Sequence, residues 1–373
     1  MSRLIPLPGR GLNIRYIAGT GGIGSGMFFR LIGNRTVGRN ESRAAELLPN
    51  RDYCKQHIIL HYLARLLGAG EPDGVSIHPI GKVGADETGQ RLLQEMAAAG
   101  MDVRHVAAVP GASTLFSVCF QYPDTTGGNL TTASSASARV GPEDIDAFFD
   151  SRAYPPGCGV AMVAPEVPLE ARLRLLERGA RHGTWNAAAI LSSEAADFER
   201  MGGFALTDYL AVNIDEAAAI AGADADPGEP SDARSIAAEC VRKAFSLNSR
   251  IRVTVTDGPR GSYSGEEGRL SFTPALPVEA ASAAGAGDAF MAGTIAGLIC
   301  GLPFQKPRAD ARFGETPLAS AVELGTLLAA FSVTSPDTIH MGADAASLKR
   351  FALDRKLPFS EQFEHLFSGA SAS

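Results

Sequence analysis

No run of about 18 consecutive apolar residues occurs in this chain of 373 residues, so no membrane-spanning helix is expected. No Cys-x-x-Cys pair occurs either. The five cysteines (54, 119, 158, 240 and 300) are scattered, and an odd, unclustered set argues against a disulfide framework or a zinc site and fits a reducing cytoplasm. Positive charge is in short supply: the net charge is −7 and no basic run is present, which excludes nucleic acid and acidic membranes as expected partners. The opening residues, Met1-Ser2-Arg3-Leu4-Ile5-Pro6, lack the apolar core of a secretory signal. What is present is 45% hydrophobic and 20% charged residues, the composition of a globular protein with a large core.

The most informative stretch is Ala283-Ala284-Gly285-Ala286-Gly287-Asp288-Ala289-Phe290-Met291-Ala292-Gly293. It follows a strand expected at 276–280 and opens a helix expected to run to about Cys300, before Gly301 and Pro303. Gly285 and Gly287 allow a sharp turn and close approach of a ligand. The unpaired N–H groups of the first helical turn carry roughly half a positive charge and form an anion site. A carboxylate at that place, Asp288, suits a phosphoryl group in transfer, with the carboxylate taking a proton from the attacking hydroxyl. On spacing alone, Asp288 reads equally as an acid favouring a helix start, and Ala289, Gly293 and Gly297 as a packing face.

Residues 13–18 read as a strand running into Gly19-Thr20-Gly21-Gly22-Ile23-Gly24. This matches Gly-x-Gly-x-x-Gly, but the dinucleotide-binding context requires a helix next, and 28–34 is too short for one. The alternative is a strand–turn edge beside the substrate. Residues 52–67 carry a helical pattern with His57 and His61 one turn apart; Ile58 stands where a zinc protease needs Glu, so no zinc site is expected, and the pair is expected at a surface or interface. A strand at 75–80 leads through Gly81-Lys82-Val83-Gly84-Ala85-Asp86-Glu87-Thr88-Gly89 into a helix ending near Gly100, with Asp86 as its N-cap. Residues 103–139 are rich in Ser, Thr and Gly with short alternating runs, the pattern of antiparallel strands and turns. From about 140 to 335 strands and helices alternate, so a mainly parallel sheet with helices on both faces is expected. Asn213 and Glu216 have the spacing of a capping box after a strand at 209–212. Asp257-Gly258-Pro259-Arg260-Gly261 follows a β-branched strand at 251–256 and reads as a turn. Residues 303–317 look like a loop insertion, and 368–373 like a disordered tail.

Gly285-Ala286-Gly287-Asp288-Ala289-Phe290 followed by Ala292-Gly293 resembles the C-terminal signature of the ribokinase-like (PfkB) carbohydrate kinases. The segments at Gly81–Gly89, Asn213–Glu216 and Thr256–Gly261 resemble further family motifs in the same order. The resemblance spans about residues 75–340. It implies an α/β fold, a three-layer sandwich with a mainly parallel central sheet plus a small β lid, as one kinase domain over 1–373. The lid would come from about 103–139 with strands nearer the N-terminus, and would close over the acceptor or pair with a second subunit. The implied activity is ATP-dependent phosphorylation of a hydroxyl of a sugar, nucleoside or small polyol in the cytoplasm. The implied catalytic set is Asp288 as base, with Gly285, Ala286 and Gly287 as the anion hole. Asn213, Thr256, Gly258 and Gly261 would serve the nucleotide, and Glu216 would place Mg²⁺. The chain departs from the family in two places. Ser282-Ala283-Ala284 replaces Asp-Thr-Thr before the glycine turn. The early substrate Asp and the Gly-Gly…Asn motif are replaced by Gly24-Ser25-Gly26 and Asp52-Tyr53-Cys54-Lys55-Gln56-His57, leaving Asp52 and Lys55 as candidates for the acceptor. Two other readings stay open: a degenerate relative that binds nucleotide or metabolite as a regulator, and a nicotinamide-dependent oxidoreductase built on Gly19–Gly24.

Overall fold

The structure, a computed structural model, describes residues 2–123, 127–151, 154–222, 230–306 and 312–369. Part of the expected loop insertion (307–311) and the end of the expected tail (370–373) lie outside the described residues. The strands are β1 (Tyr16–Thr20), β2 (Gly24–Leu31), β3 (Ala45–Tyr53), β4 (Ser76–Gly84), β5 (Val106–Val109), β6 (Leu115–Gln121), β7 (Gly127–Thr131), β8 (Gly159–Val163), β9 (Trp185–Ala188), β10 (Tyr209–Asn213), β11 (Arg252–Thr256), β12 (Gly261–Glu266) and β13 (Arg269–Pro274). The helices are α1 (Lys55–Leu67), α2 (Glu87–Ala98), α3 (Pro142–Ser151), α4 (Leu169–Arg181), α5 (Ala195–Arg200), α6 (Ile214–Ala221), α7 (Pro230–Leu247), α8 (Ala286–Ile299), α9 (Ala321–Ser332), α10 (Ala345–Asp354) and α11 (Glu361–Leu366).

Among the described residues, a nine-stranded sheet runs in the order β13-β12-β11-β10-β9-β8-β1-β4-β5. Its pairings are parallel from β5 across to β11, and only β12 and β13 run antiparallel. Strand periodicity divides the core into two layers. Ile17, Val160 and Met162 point to one face, where they pack with α1, α8 and α9. Tyr16, Ala18, Ala161 and Val163 point to the other, where they pack with helices α3 to α7. This is the three-layer arrangement expected from the alternating pattern. The parallel strands bring their carboxyl ends to one edge, where an α/β sheet places its ligands.

A second, four-stranded sheet runs in the order β3-β2-β6-β7. It is the small sheet expected near 103–139, with two corrections. Only β6 and β7 of that segment belong to it, because β5 extends the central sheet beside β4. The pairing of β2 with β6 is parallel, and only β2–β3 and β6–β7 are antiparallel. Asp86 roots this sheet. Its side chain accepts from Gly89 N–H at 2.8 Å as the N-cap of α2, and from Thr114 N–H at 2.8 Å just before β6.

Three local expectations are also corrected. Residues 276–280 form no strand; the strand before the glycine turn is β13, which ends at Pro274. The helix expected at 52–67 begins at Lys55, and Asp52 lies at the end of β3. His57 and His61 are buried, not at a surface. Helix α1 is enclosed on nearly every side, with Ile58, Ile59, Leu60, Leu63 and Leu66 buried along it. Each such side chain contributes about 1.5–3 kcal/mol. Together they outweigh the cost of about 1–3 kcal/mol for a polar group buried without a partner. Burial pushes the pKa of His57 down and that of His61 to about 4, so both imidazoles are neutral.

Candidate active site

Helix α8 starts from Gly285, whose φ of 79° is left-handed. A Cβ there would also stand 2.5 Å from the carbonyl oxygen of Thr338. No side chain caps this helix start; Ala286 N–H donates to the Ala283 carbonyl at 3.3 Å, which leaves the next N–H groups, of Gly287 and Asp288, to an anion. Thr338 in turn holds the small sheet: its N–H donates to the Arg51 carbonyl at 3.1 Å, and its Oγ1 accepts from Tyr53 N–H at 2.9 Å. Gly285→Ala is therefore expected to destabilise the protein by at least about 1–2 kcal/mol, the cost of forcing a Cβ into a left-handed conformation. A melting curve of that variant checks this.

Asp288 lies in the first turn of α8, 8% exposed. Lys55, the first residue of α1, places Nζ 3.6 Å from Asp288 Oδ1. Burial raises the Asp288 pKa, and the Lys55 ammonium opposes it. The pKa of Lys55 is raised, first by Asp288 and further by Glu216 and Glu166. One ammonium thus serves three carboxylates.

Glu216 is buried as the third residue of α6. One of its oxygens accepts from Asn213 N–H at 2.8 Å, and Asn213 Oδ1 accepts from Glu216 N–H at 2.8 Å. The capping box expected from spacing is present. Asn213 pairs in register with Thr256 at the carboxyl ends of β10 and β11, so two expected nucleotide residues are strand neighbours. Gly258 sits in the turn between β11 and β12, and Gly261 opens β12. Gly261 has a structural task of its own, since a Cβ there would stand 2.3 Å from the Thr273 carbonyl oxygen across the hairpin.

Asp52 comes from the small sheet, and its charge acts on Asp288. Gly26 pairs with Asp52 on one side and with Ser117 on the other. The missing side chain of Gly26 lets the Asp52 carboxylate reach across, where it accepts from Ser117 Oγ and, at 3.5 Å, from Cys119 Sγ. Burial raises its pKa.

One residue was not singled out by the sequence. Glu166 follows β8 with a φ of 77°, a strained conformation for a residue with a side chain. Its carboxylate lies over Gly22, where a Cβ would stand 2.4 Å from Oε2. That Oε2 is buried with no hydrogen-bond partner, and burial raises the pKa to about 7. The visible signal was a lone acid between Pro165 and Pro168 after an apolar strand. Because the folded pKa exceeds the ordinary 4.5, wild-type stability carried by this group is full below pH 4.5 and is lost as pH rises to about 7. Glu166→Gln should therefore gain stability relative to wild type across that interval and hold a constant advantage above it, as chemical denaturation at several pH values would show.

Glu166 and Lys55 line a cleft of about 590 Å³ between the two sheets, with Leu115, Asn129, Thr131 and Ser135 along the small-sheet side. Gly19–Gly24 borders this region differently from a dinucleotide loop. Gly24 opens β2, not a helix, so no helix N-terminus is there to hold a pyrophosphate.

A glycine turn at a helix start, a buried acid beside it, and a cleft under a small sheet fit phosphoryl transfer to a small molecule. Residues 59–345 match the family model described as pfkB family carbohydrate kinase. The chain belongs to the PfkB family of carbohydrate kinases. It is 28% identical over 237 residues to a fructokinase of Klebsiella pneumoniae, covering 60% of this chain and 72% of that protein. It is 28% identical over 222 residues to a 2-dehydro-3-deoxygluconokinase of Thermoproteus tenax, covering 56% of this chain and 63% of that one. Among solved structures, a ribokinase from Giardia lamblia superimposes with a TM-score of 0.71 at 16% identity, covering 90% of this chain and 99% of that one. The PfkB assignment accounts for the architecture of two sheets and for the class of enzyme.

Proposed function

We propose that this PfkB kinase transfers the γ-phosphoryl group of ATP to a hydroxyl of a sugar, nucleoside or related small polyol held in the cleft. The observation that carries this reading is the placement of buried Asp288, in the first turn of α8 and paired with Lys55. Asp288 takes the hydroxyl proton as the acceptor oxygen attacks the γ-phosphorus, and the bond to the ADP oxygen breaks. Gly285, Ala286 and Gly287 form the anion hole for the phosphoryl oxygens. Asn213, Thr256, Gly258 and Gly261 border the nucleotide, at the carboxyl ends of β10 and β11. Asp52, Lys55 and Glu166 bind the acceptor.

Mg²⁺ bound with the nucleotide would neutralise phosphate charge, with Glu216 as the residue of this chain that would help to place it. Among the described residues no group of three or more His, Cys, Asp or Glu side chains could hold a metal, which fits an ion held chiefly by phosphates and water. Glu216, with one oxygen engaged at Asn213, suits an outer position acting through water. Glu216→Gln should keep near-normal stability and raise the Mg²⁺ concentration needed for half-maximal activity. An unchanged Mg²⁺ dependence would leave Glu216 a capping residue only.

The outward face of the small sheet carries cross-strand rows Met27–Val118–Leu130 and Leu47–Phe29–Phe120, with Met27, Leu47 and Leu130 exposed. A second copy of the same sheet would cover them, giving a homodimer through the lid. All five cysteines are free, in keeping with a cytoplasmic enzyme. The test of the whole reading is the melting temperature with ATP–Mg²⁺ against NAD(P)H, followed by ADP release over sugars, nucleosides and polyols. ATP–Mg²⁺ at about 100 times its Kd should add about 2.7 kcal/mol. A shift with NADH and none with ATP–Mg²⁺ would refute it.

A further inference from the structure

Arg172 lies on α4 with its side chain wholly buried. A charged side chain is almost never fully buried without a partner, and Arg172 has one. Its Nη1 donates to Glu194 Oε2 at 3.0 Å and its Nη2 donates to Glu194 Oε1, a two-pronged contact that fixes direction as well as distance. Glu194 Oε2 also accepts from Leu191 N–H at 3.0 Å, closing the turn that follows β9. The fork therefore joins the turn after β8, from which α4 starts, to the turn after β9. Both turns form one wall of the cleft, with Glu166, Val167 and Pro168 from the first and Leu191 from the second. The second turn, through Ser192–Glu194, also packs against α6, whose start carries Asn213 and Glu216.

We propose that Arg172 is a positioning residue, which through Glu194 sets the wall of the cleft against which the acceptor rests, given the kinase reading above. Stability alone does not account for the pair. Taking a guanidinium fully out of water costs about what its attraction to a carboxylate returns, and neutral side chains of similar size often serve a fold as well. Arg172 Nε is buried with no hydrogen-bond partner, which adds to the cost. What the fork supplies is a fixed direction. The first turn needs it, because Glu166 holds a φ of 77°, and such a conformation persists only where the surroundings over-determine it. The start of α4 gives little other hold, since its N-cap is Pro168 and no side chain caps it. Gly22 N–H, donating to the Pro165 carbonyl at 2.9 Å, fixes the front of this turn, and the fork fixes its back. Asp288 and Lys55 stand on α8 and α1, outside the contacts of the pair among the described residues. The wall can thus shift while the reacting groups keep their places, and the loss falls on acceptor binding.

The test uses the full-length protein as the double variant Arg172→Met/Glu194→Gln, in which the Gln oxygen can still accept from Leu191 N–H. Arg172→Lys, which keeps the charge without the fork, carries the test should the double variant fold poorly. ADP release is followed with ATP–Mg²⁺ and whichever of D-fructose, D-ribose, inosine and 2-dehydro-3-deoxygluconate the wild type uses best. In the double variant the acceptor KM should rise about tenfold or more, since a misplacement of about 1 Å can cost about 10²-fold. Turnover and ATP Kd should stay within about twofold of wild type, the signature of lost acceptor binding alone. Arg172→Lys should show the same split with a smaller rise in KM. Hydrogen exchange of the unliganded protein gives a reading independent of activity. Backbone amides of the two turns, within 164–172 and 189–194, should exchange about tenfold faster or more in the double variant, with β8 and β9 unchanged. An acceptor KM equal to that of wild type overturns the proposal, as does unchanged exchange in both turns. A wild type that binds no ATP–Mg²⁺ and releases no ADP with any acceptor refutes the kinase reading instead, and the exchange result then decides by itself whether the fork holds the wall.

Discussion

Asp288→Asn is expected to lower kcat by about 10²–10⁴-fold, the contribution of a positioned general base. The substitution keeps the shape of the side chain and its capacity to accept a hydrogen bond, but not its proton affinity. ATP affinity should hold or improve, because a negative charge facing the γ-phosphate has gone. Stability should hold or rise at neutral pH. Burial raises the folded pKa of Asp288, so the ionised group opposes folding as pH climbs past that value, and Asn does not. A role limited to favouring the helix start predicts the reverse pattern, with a loss of up to about 1 kcal/mol and unchanged turnover. Turnover, ATP Kd and unfolding free energy of this one variant separate the two roles.

Lys55→Met should have the next largest effect, and it should appear in the pH profile. The ammonium opposes the burial effect on Asp288. Without it the Asp288 pKa rises further, fewer molecules hold the ionised base, and the acidic limb of kcat/KM moves to higher pH. The loss of activity should be about 10²-fold or more at neutral pH, and should shrink as pH is raised. Methionine preserves the stem that packs at the start of α1, so the melting temperature should change little. A profile unshifted along the pH axis, with activity reduced equally at all pH values, would assign Lys55 to acceptor binding alone.

The parts of the site legible in the sequence are those in which one local segment supplies both the backbone conformation and the chemistry. Gly285 to Asp288 is such a segment: the left-handed glycine, the helix start and the acid are contiguous. Asn213 and Glu216 are another, since a capping box is complete within four residues. The parallel core was legible because β8, β10 and β11 are short apolar runs separated by helices. What was not legible depends on distant partners. The carboxylate of Glu166 is held by a strained backbone and a gap at Gly22, more than a hundred residues earlier. Asp52 reads as a helix start, yet it ends an edge strand whose exposed residues, Glu46, Pro49 and Arg51, hide the strand pattern. His57 and His61 read as surface residues by polarity, and only the enclosure of α1 by the central sheet and α8 explains their burial. Parallel pairing of β2 with β6 joins segments about ninety residues apart, which no local pattern announces.

The most direct measurement is the single-turnover rate of phosphoryl transfer by quench flow, with ATP–Mg²⁺ and an acceptor bound beforehand to wild type and to Asp288→Asn. A base role for Asp288 predicts a transfer step slower by about 10²–10⁴-fold in the variant, with the nucleotide still bound. A variant that transfers the phosphoryl group at the wild-type rate would contradict it.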